Sequence, residues 1–234
     1  MNILFLGNSY TYYNDLPALF RGLCKENNQD VEVFSVTAPG RRLEQNLQDD
    51  AHAARFKELL QQRHYDFCIL QEQSVLPFVH FDAYLSALLQ LKNILKDHSD
   101  RLLLYSTWGR KEGESFLTEN HLTNPQMTAL LHSAFEKASE IAEIPISPVG
   151  LHFYDLYSAG IGPELYDADR THPSYSGSCL AALVHYKTMF GVLPDSLQSF
   201  EISEWDRKTL LACAGKNLSL QTVCLDETSG AADH

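Results

Sequence analysis

The chain has 234 residues, 44% of them hydrophobic, which is enough for the core of one α/β domain. Lys and Arg number 18 against 30 Asp and Glu, so the formal net charge is −12, and neither nucleic acid nor a membrane is expected as a partner. No apolar run approaches the roughly 18 residues of a membrane span, and the N-terminus carries no basic region typical of a signal peptide. The five cysteines form no Cys-x-x-Cys pair, which favours reduced thiols in a cytoplasmic protein.

In chain order, short apolar runs alternate with stretches of helical periodicity. The runs at residues 1–6, 31–36, 67–70, 102–105 and 144–149 predict five strands. Helices are predicted from near Asp15 and over 43–63, 83–95, 126–142, 175–190 and 205–216, with a break near Asp49-Asp50 left open and an irregular stretch from 150 to 172. Pro145 and Pro148 favour an edge position for the fifth strand, because proline cannot donate to a β-ladder.

This alternation predicts an α/β fold, a three-layer α/β/α sandwich with a flavodoxin-like five-stranded parallel sheet. We expect a single domain over residues 1–225 and a loose tail over 226–234. In such folds the ligand site lies outside the carboxyl ends of the strands. The residues that directly follow each strand are therefore the candidates for function.

Ser9 follows the first strand in the sequence Gly7-Asn8-Ser9 and precedes a helical pattern. A strand, a sharp turn, a serine and a helix together lift a hydroxyl above the edge of a parallel sheet, which is the geometry of a nucleophile. The alternative is a serine that caps the first helix. A serine also needs a base and a group that orients that base before it can attack a carbonyl.

The sequence Asp169-Arg170-Thr171-His172 supplies a carboxylate three residues before an imidazole. Asp169 can hold one ring nitrogen of His172 while the other nitrogen faces Ser9. The same spacing occurs in Asp49-Asp50-Ala51-His52, but that copy lies in a helical stretch well past the second strand. The alternative for His172 is a surface loop histidine bonded to Asp169.

Three groups at the ends of strands can donate to the oxyanion of an acyl-transfer reaction. They are the Ser9 N–H, the N–H of Gly40, and the side-chain amide of Gln71, with Gln73 in reserve. The alternatives are a plain turn glycine and a glutamine that satisfies loop backbone. Trp108 follows the fourth strand, and an aromatic face there suits a sugar ring or packs under the next loop.

These residues resemble the SGNH hydrolase superfamily, the GDSL-type esterases. Gly7-Asn8-Ser9 stands where that family has Gly-Asp-Ser, Gly40 stands at the second block, and Asp169-x-x-His172 stands at the last block. The likeness extends to a branch with a strand-end Gln-Glu-Gln-Ser, a Thr-Trp after the fourth strand, and an Asp-x-x-His-Pro with a following glycine. Those motifs are residues 71–74, 107–108 and 169–173 here, and the likeness spans residue 2 to about 191.

The chain departs from the family at two places. Asn8 replaces the usual aspartate, which is not a member of the triad, and the third block lacks the asparagine that donates to the oxyanion. Carbohydrate-acetylesterase members have Gln-Gly-Glu at that block, and this similarity assigns the donor role to Gln71.

The resemblance implies a serine esterase with Ser9, His172 and Asp169 as the triad. It acts on a small-molecule ester, with Trp108 and Gln73 at the substrate and an acetylated carbohydrate as the favoured class. No cofactor and no metal are expected, and the oligomeric state is left open. The alternative is a non-catalytic flavodoxin-like protein that binds phosphate or a nucleotide at the loop of residues 7–11, although that loop has no glycine-rich fingerprint.

Overall fold

The computed structural model describes residues 1–219, and the tail that the sequence predicts over 226–234 lies outside them. Five strands form one sheet: β1 (Asn2–Gly7), β2 (Glu32–Thr37), β3 (Tyr65–Leu70), β4 (Ser99–Tyr105) and β5 (Ile146–Ser147). All neighbouring strands run parallel, in the order β2-β1-β3-β4-β5. The predicted five-stranded parallel sheet is confirmed, and β5 lies at an edge as its prolines indicated.

Ten α-helices lie in the described part of the chain. They are α1 (Ser9–Tyr12), α2 (Leu16–Glu26), α3 (Ala51–Gln62), α4 (Leu76–Val79), α5 (Phe81–Leu95), α6 (Ser115–Glu119), α7 (Asn124–Ala142), α8 (Val149–Ser158), α9 (Tyr175–Phe190) and α10 (Glu204–Gly215). Side chains that alternate along β1 point to two separate cores. Ile3 and Phe5 pack with α2, α8, α9 and α10, whereas Leu4 and Leu6 pack with α3, α5 and α7. Helices therefore cover both faces of the sheet, which confirms the three-layer α/β/α architecture.

Two stretches bear on the sequence prediction of helices. The stretch predicted over 43–63 is divided at Asp49-Asp50, where the sequence left a break open, into a 3₁₀ turn (Leu43–Leu47) and α3, because the Asp50 carboxylate accepts the Ala53 N–H and starts a new helix. The stretch after Pro148, expected to be irregular, contains α8. Seven of its ten residues are buried, so α8 lacks the one-sided apolar pattern that reveals a surface helix.

The strand order places a topological switch at β1, since the chain moves from β1 to β2 on one side and then crosses to β3 on the other. The crevice beyond the carboxyl end of β1 is where sheets of this kind bind ligands. None of the helices within residues 1–219 combines the length and the apolar character that crossing a membrane requires.

Candidate active site

Ser9 lies at the first position of α1, directly beyond the end of β1. Gly7 makes this turn possible, since a Cβ there would lie 2.4 Å from Thr11 Oγ1 and 2.5 Å from Gln71 Oε1. The cap of α1 is Asn8, whose side chain accepts the Tyr10 N–H at 3.1 Å. The alternative, in which Ser9 caps this helix, is therefore excluded, and its hydroxyl is available for another partner.

That partner is His172, whose Nε2 lies 2.8 Å from Ser9 Oγ. The other ring nitrogen, Nδ1, bonds the Asp169 carboxylate through Oδ2, so the histidine lies between the serine and the aspartate. The second carboxylate oxygen accepts the backbone N–H groups of Thr171 and His172, each at 2.9 Å. The structure thus brings together the three residues that the sequence selected from opposite ends of the chain.

The electrostatics of Asp169 suit a group that orients an imidazole. Partial burial raises the pKa of its carboxyl, but hydrogen bonds from the His172 side chain and from the His172 and Thr171 N–H groups outweigh burial and leave the pKa below its usual value. The carboxylate therefore stays ionised at neutral pH. An ionised Asp169 accepts a hydrogen bond from the Nδ1 N–H of His172, and this tautomer leaves the unprotonated Nε2 directed at Ser9.

The loop after β4 holds the turn that carries His172. The indole Nε1 of Trp108 donates to the Thr171 carbonyl at 3.2 Å, and the Lys111 N–H donates to the Arg170 carbonyl at 2.9 Å. Arg170 has a φ of 63° and donates from its guanidinium to the Glu112 carbonyl at 3.1 Å. Three bonds thus attach a turn with one left-handed residue to the edge of the sheet.

Trp108 itself does not reach the cavity. Its side chain has no exposed surface and stacks on Phe153, with ring centroids 3.9 Å apart and an interplanar angle of 5°. The predicted role of Trp108 in substrate binding is therefore wrong. A strand-end position alone could not distinguish an aromatic ring that faces a ligand from one that lies beneath a loop.

Tyr13 packs against the side chain of His172. Its ring stacks on the His172 imidazole at 4.2 Å with an interplanar angle of 9°. The next two residues, Asn14 and Asp15, both adopt left-handed φ values, 54° and 51°, without being glycine. The Asn14 amide holds this kink by donating to the Pro173 carbonyl at 3.0 Å and to Ser178 Oγ at 2.9 Å. Such strained backbone persists where the surroundings fix it, and here it places Tyr13 on the ring of His172.

Two backbone donors are available beside Ser9. Neither the Ser9 N–H nor the Gly40 N–H has a hydrogen-bond partner within residues 1–219. Gly40 has a φ of +61°, which favours glycine, and no heavy atom lies within 4 Å of the position that a Cβ would take. The loop that carries Gly40 is attached to the serine loop because Asn8 Nδ2 donates to the Arg41 carbonyl at 2.9 Å. Ser9 and Gly40 both line one cavity.

Gln71 does not supply a third donor, contrary to the sequence prediction. Its side chain is fully buried, and Oε1 accepts the Asn8 N–H at 2.8 Å and the Thr11 hydroxyl at 2.9 Å. Its amide Nε2 donates to the Glu72 carbonyl at 2.5 Å, away from the cavity. Gln71 therefore stabilises the loop that carries Ser9 through its hydrogen bonds with Asn8 and Thr11.

The reserve candidate, Gln73, does line the cavity. Its Oε1 accepts the N–H groups of Val75 and Leu76 at 3.0 and 3.1 Å, which fixes the orientation of the amide. Its Nε2 has a single long contact, 3.5 Å to Ser74 Oγ. Of the two glutamines, only Gln73 therefore has donor capacity to spare at the cavity.

The cavity has a volume of ≈ 300 Å³, and three of its polar lining residues, Gln73, Ser74 and Arg110, are neighbours, since Gln73 Nε2 and Arg110 Nη2 each lie 3.5 Å from Ser74 Oγ. Arg110 was not identified as a candidate from the sequence. Arg110 follows β4 by the same strand-end rule that selected the other candidates, two positions after Trp108. The strand-end position therefore indicates both residues, and the sequence does not show which of the two side chains faces the cavity.

A parallel sheet with a serine at its switch point, where the serine bonds a histidine that in turn bonds an aspartate, is the arrangement of a serine hydrolase. A comparison with solved structures supports this class. A protein from Slackia heliotrinireducens assigned to the SGNH hydrolases is 30% identical, with a TM-score of 0.71, and the match covers 81% of this chain and 98% of that one. The chain belongs to the SGNH hydrolase superfamily and is a serine ester hydrolase.

Two other solved structures share the fold at lower identity. A DUF4886 family protein from Bacteroides uniformis is 17% identical, with a TM-score of 0.73 and coverage of 92% of this chain and 93% of that one. The acetylxylan esterase Axe2 from Geobacillus stearothermophilus is 16% identical, with a TM-score of 0.56 and coverage of 86% and 94%. Comparisons with protein-family models and with curated proteins gave no match.

Proposed function

We propose that this chain hydrolyses small acyl esters, acetyl esters above all, with Ser9 as the nucleophile. The observation that carries the proposal is the 2.8 Å contact between Ser9 Oγ and His172 Nε2, with Asp169 on the opposite ring nitrogen. A nucleophile, a base and an orienting carboxylate within hydrogen-bond reach are the minimum set for acyl transfer by serine.

The reaction follows from these positions. His172 takes the Ser9 proton as Oγ attacks the ester carbonyl, and Asp169 stabilises the resulting imidazolium. The imidazolium then protonates the leaving alcohol, and the acyl group remains on Ser9. Water attacks the acyl-enzyme, gives its proton to His172, and the acid leaves as Ser9 recovers its proton.

Charge on the carbonyl oxygen is held by the N–H groups of Ser9 and Gly40, which have no other partner within residues 1–219. We assign the third donor to the Gln73 amide rather than to Gln71, because Gln71 is buried and its oxygen and amide are both engaged. Preorganised donors of this kind supply much of the rate enhancement in acyl transfer.

The substrate is proposed from the shape and polarity of the cavity. A volume of ≈ 300 Å³ is at the small end for ligand sites and favours a short acyl chain. The side chains of Gln73, Ser74 and Arg110 supply polar groups to this cavity that suit an alcohol rich in hydroxyl groups, so an O-acetylated carbohydrate is the favoured class. The printed description of Axe2 as an acetylxylan esterase shows that one protein of this fold acts on such a substrate.

The phosphate-binding alternative is disfavoured at the same loop. The helix that begins at Ser9 has only four residues, and the Tyr10 N–H at its start is occupied by the Asn8 side chain. Little of the helix dipole and few free N–H groups are therefore left for an anion.

The test uses Ser9→Ala and His172→Ala with acetylated sugars, 4-nitrophenyl acetate and a long-chain acyl ester. Each variant is expected to lose at least ~10³-fold in kcat, and a fluorophosphonate is expected to label Ser9 in the native chain only. His64→Ala is the matched control, because His64 also bonds an aspartate, Asp100, at 2.8 Å on the surface. Full activity of Ser9→Ala would refute the mechanism, and a preference for long acyl chains would refute the proposed substrate.

A further inference from the structure

The cavity beside Ser9 contains a fixed cation that the acyl-transfer steps above do not use. Arg110 is the one Lys or Arg among the described residues that line it. The Arg110 side chain is only 15% exposed, and Nη1 donates to Glu114 Oε1 at 2.9 Å. The guanidinium carbon lies 4.8 Å from the centre of the Phe116 ring, so the plane of the group is held on two sides.

Glu114 is also buried and held by hydrogen bonds. Its side chain is 9% exposed, Oε2 accepts the Phe116 N–H at 2.8 Å, and the Ser115 hydroxyl donates to Oε1 at 3.0 Å. Burial raises the pKa of Glu114, but the hydrogen bond and the charge of Arg110 outweigh burial and keep it below its usual value. The carboxylate is therefore ionised and balances the charge of Arg110 within the protein.

The guanidinium keeps donor capacity on its cavity side. Nη2 has one long contact, 3.5 Å to Ser74 Oγ, whereas Nε is buried and has no partner in the described part of the chain. Because Glu114 already balances the charge of Arg110, a second anion gains less here than at an unpaired guanidinium, while an uncharged oxygen can still accept a hydrogen bond from Nη2. Ser74 Oγ lies 3.5 Å from both Arg110 Nη2 and Gln73 Nε2, so three polar groups that can bond a substrate hydroxyl are adjacent.

We propose that Arg110, held by Glu114, is a specificity residue that binds an uncharged, hydroxyl-bearing alcohol portion of the ester through Nη2. The inference rests on the proposed esterase function. It narrows the substrate class to esters of neutral sugars or polyols and excludes esters of sugar acids. A site built to hydrogen-bond a substrate oxygen discriminates against an analogue that lacks it, because its buried donors are then left unpaired.

The experiment compares three acetyl esters: an acetylated methyl glycoside, the same glycoside with a carboxylate at the terminal carbon, and 4-nitrophenyl acetate. The native chain is expected to prefer the neutral glycoside to the acid. In Arg110→Met, the ratio of kcat/KM for the neutral glycoside to that for 4-nitrophenyl acetate is expected to fall ~30-fold, the loss typical of a hydrogen bond from a charged donor. Arg110→Lys, which keeps the charge without the planar fork, is expected to lower the same ratio and covers the case in which the Met variant does not fold.

Glu114→Gln gives the readout that a purely structural role would not move. It keeps the shape of the partner and removes the balancing charge, so the acidic glycoside is expected to gain ~10-fold relative to the neutral one. Arg101→Met is the matched control, because Arg101 also lies over a phenylalanine ring, Phe67 at 4.1 Å, at the other end of β4.

Unchanged ratios in the Arg110 and Glu114 variants, or a native preference for the acidic glycoside, would overturn this inference while leaving the esterase mechanism intact. Failure of the mechanism is recognised separately, because Ser9→Ala would then retain its activity on all three esters.

Discussion

Glu72 offers a test of how the two loops beside the serine are held together. This carboxyl has no exposed surface, and it accepts the Leu43 N–H at 3.2 Å and the Gln73 N–H at 2.6 Å. It therefore joins the chain that follows Gly40 to the loop that carries Gln73. Burial raises its pKa to about 7 despite the opposing effect of these two N–H groups.

The perturbation is Glu72→Gln, which keeps an oxygen acceptor and removes the titration. In the native chain the folded state holds the proton up to about pH 7, whereas the unfolded state releases it near the ordinary value of 4.5. The folded state thus binds more protons within this window, and the free energy of unfolding falls as the pH rises through it. The shift from 4.5 to about 7 corresponds to about 3 kcal/mol.

The assay is urea unfolding of both chains at several pH values from about 4 to about 8, where other groups titrate alike in both. The variant is expected to gain about 3 kcal/mol relative to the native chain between the two ends of this range. Glu140→Gln, an exposed carboxyl on α7, is the control and should show no such gain. Parallel curves for native and Glu72→Gln would refute the claim that burial governs this carboxyl.

Three further predictions concern the site. Gln73→Ala should lower kcat ~10²-fold, whereas Gln71→Ala, which removes a fully buried and fully bonded amide, should lower the urea midpoint more than Gln73→Ala does, and a reversed pattern would restore Gln71 as the oxyanion donor. Tyr13→Leu should lower kcat/KM ~10-fold through loss of the stack on His172, while Tyr13→Phe keeps the stack and stays within ~2-fold, so equal losses would contradict the positioning role. Gly7→Ala should destabilise the fold by about 2 kcal/mol in thermal or urea unfolding, since the new methyl group has no room, and an unchanged midpoint would contradict the crowding described.

The sequence predicted the site best where a residue type with known catalytic chemistry occupies a recognisable position, such as the end of a strand. Ser9 could be selected because the residue after a parallel strand lies at the ligand-binding edge of the sheet, and Asp169 and His172 because a carboxylate three residues before an imidazole can orient it. Gln71 and Gln73 could not be distinguished in this way, since they lie two positions apart and only hydrogen bonding shows which amide is engaged. The burial of Trp108 could not be predicted for a different reason: its ring packs on Phe153 of α8, a mostly buried helix that has no one-sided apolar pattern in the sequence.

Arg110 and Tyr13 illustrate a second limit. Tyr13 reaches His172 because Asn14 and Asp15 adopt left-handed backbone, and neither residue type demands that conformation. Arg110 depends on Glu114, which lies one helical turn away in sequence but outside any predicted helix. Contacts that arise from irregular backbone have no period in the sequence, so they become visible only in the structure.

The stack of Trp108 on Phe153 has a practical consequence. The chain has two tryptophans, and the other, Trp205, is 58% exposed on α10. Acrylamide should quench the emission of Trp205 in the folded protein and leave that of Trp108 protected. Because the Trp108 indole bonds Thr171, next to His172, its protected emission reports whether the turn that carries His172 is intact, without any label or substrate.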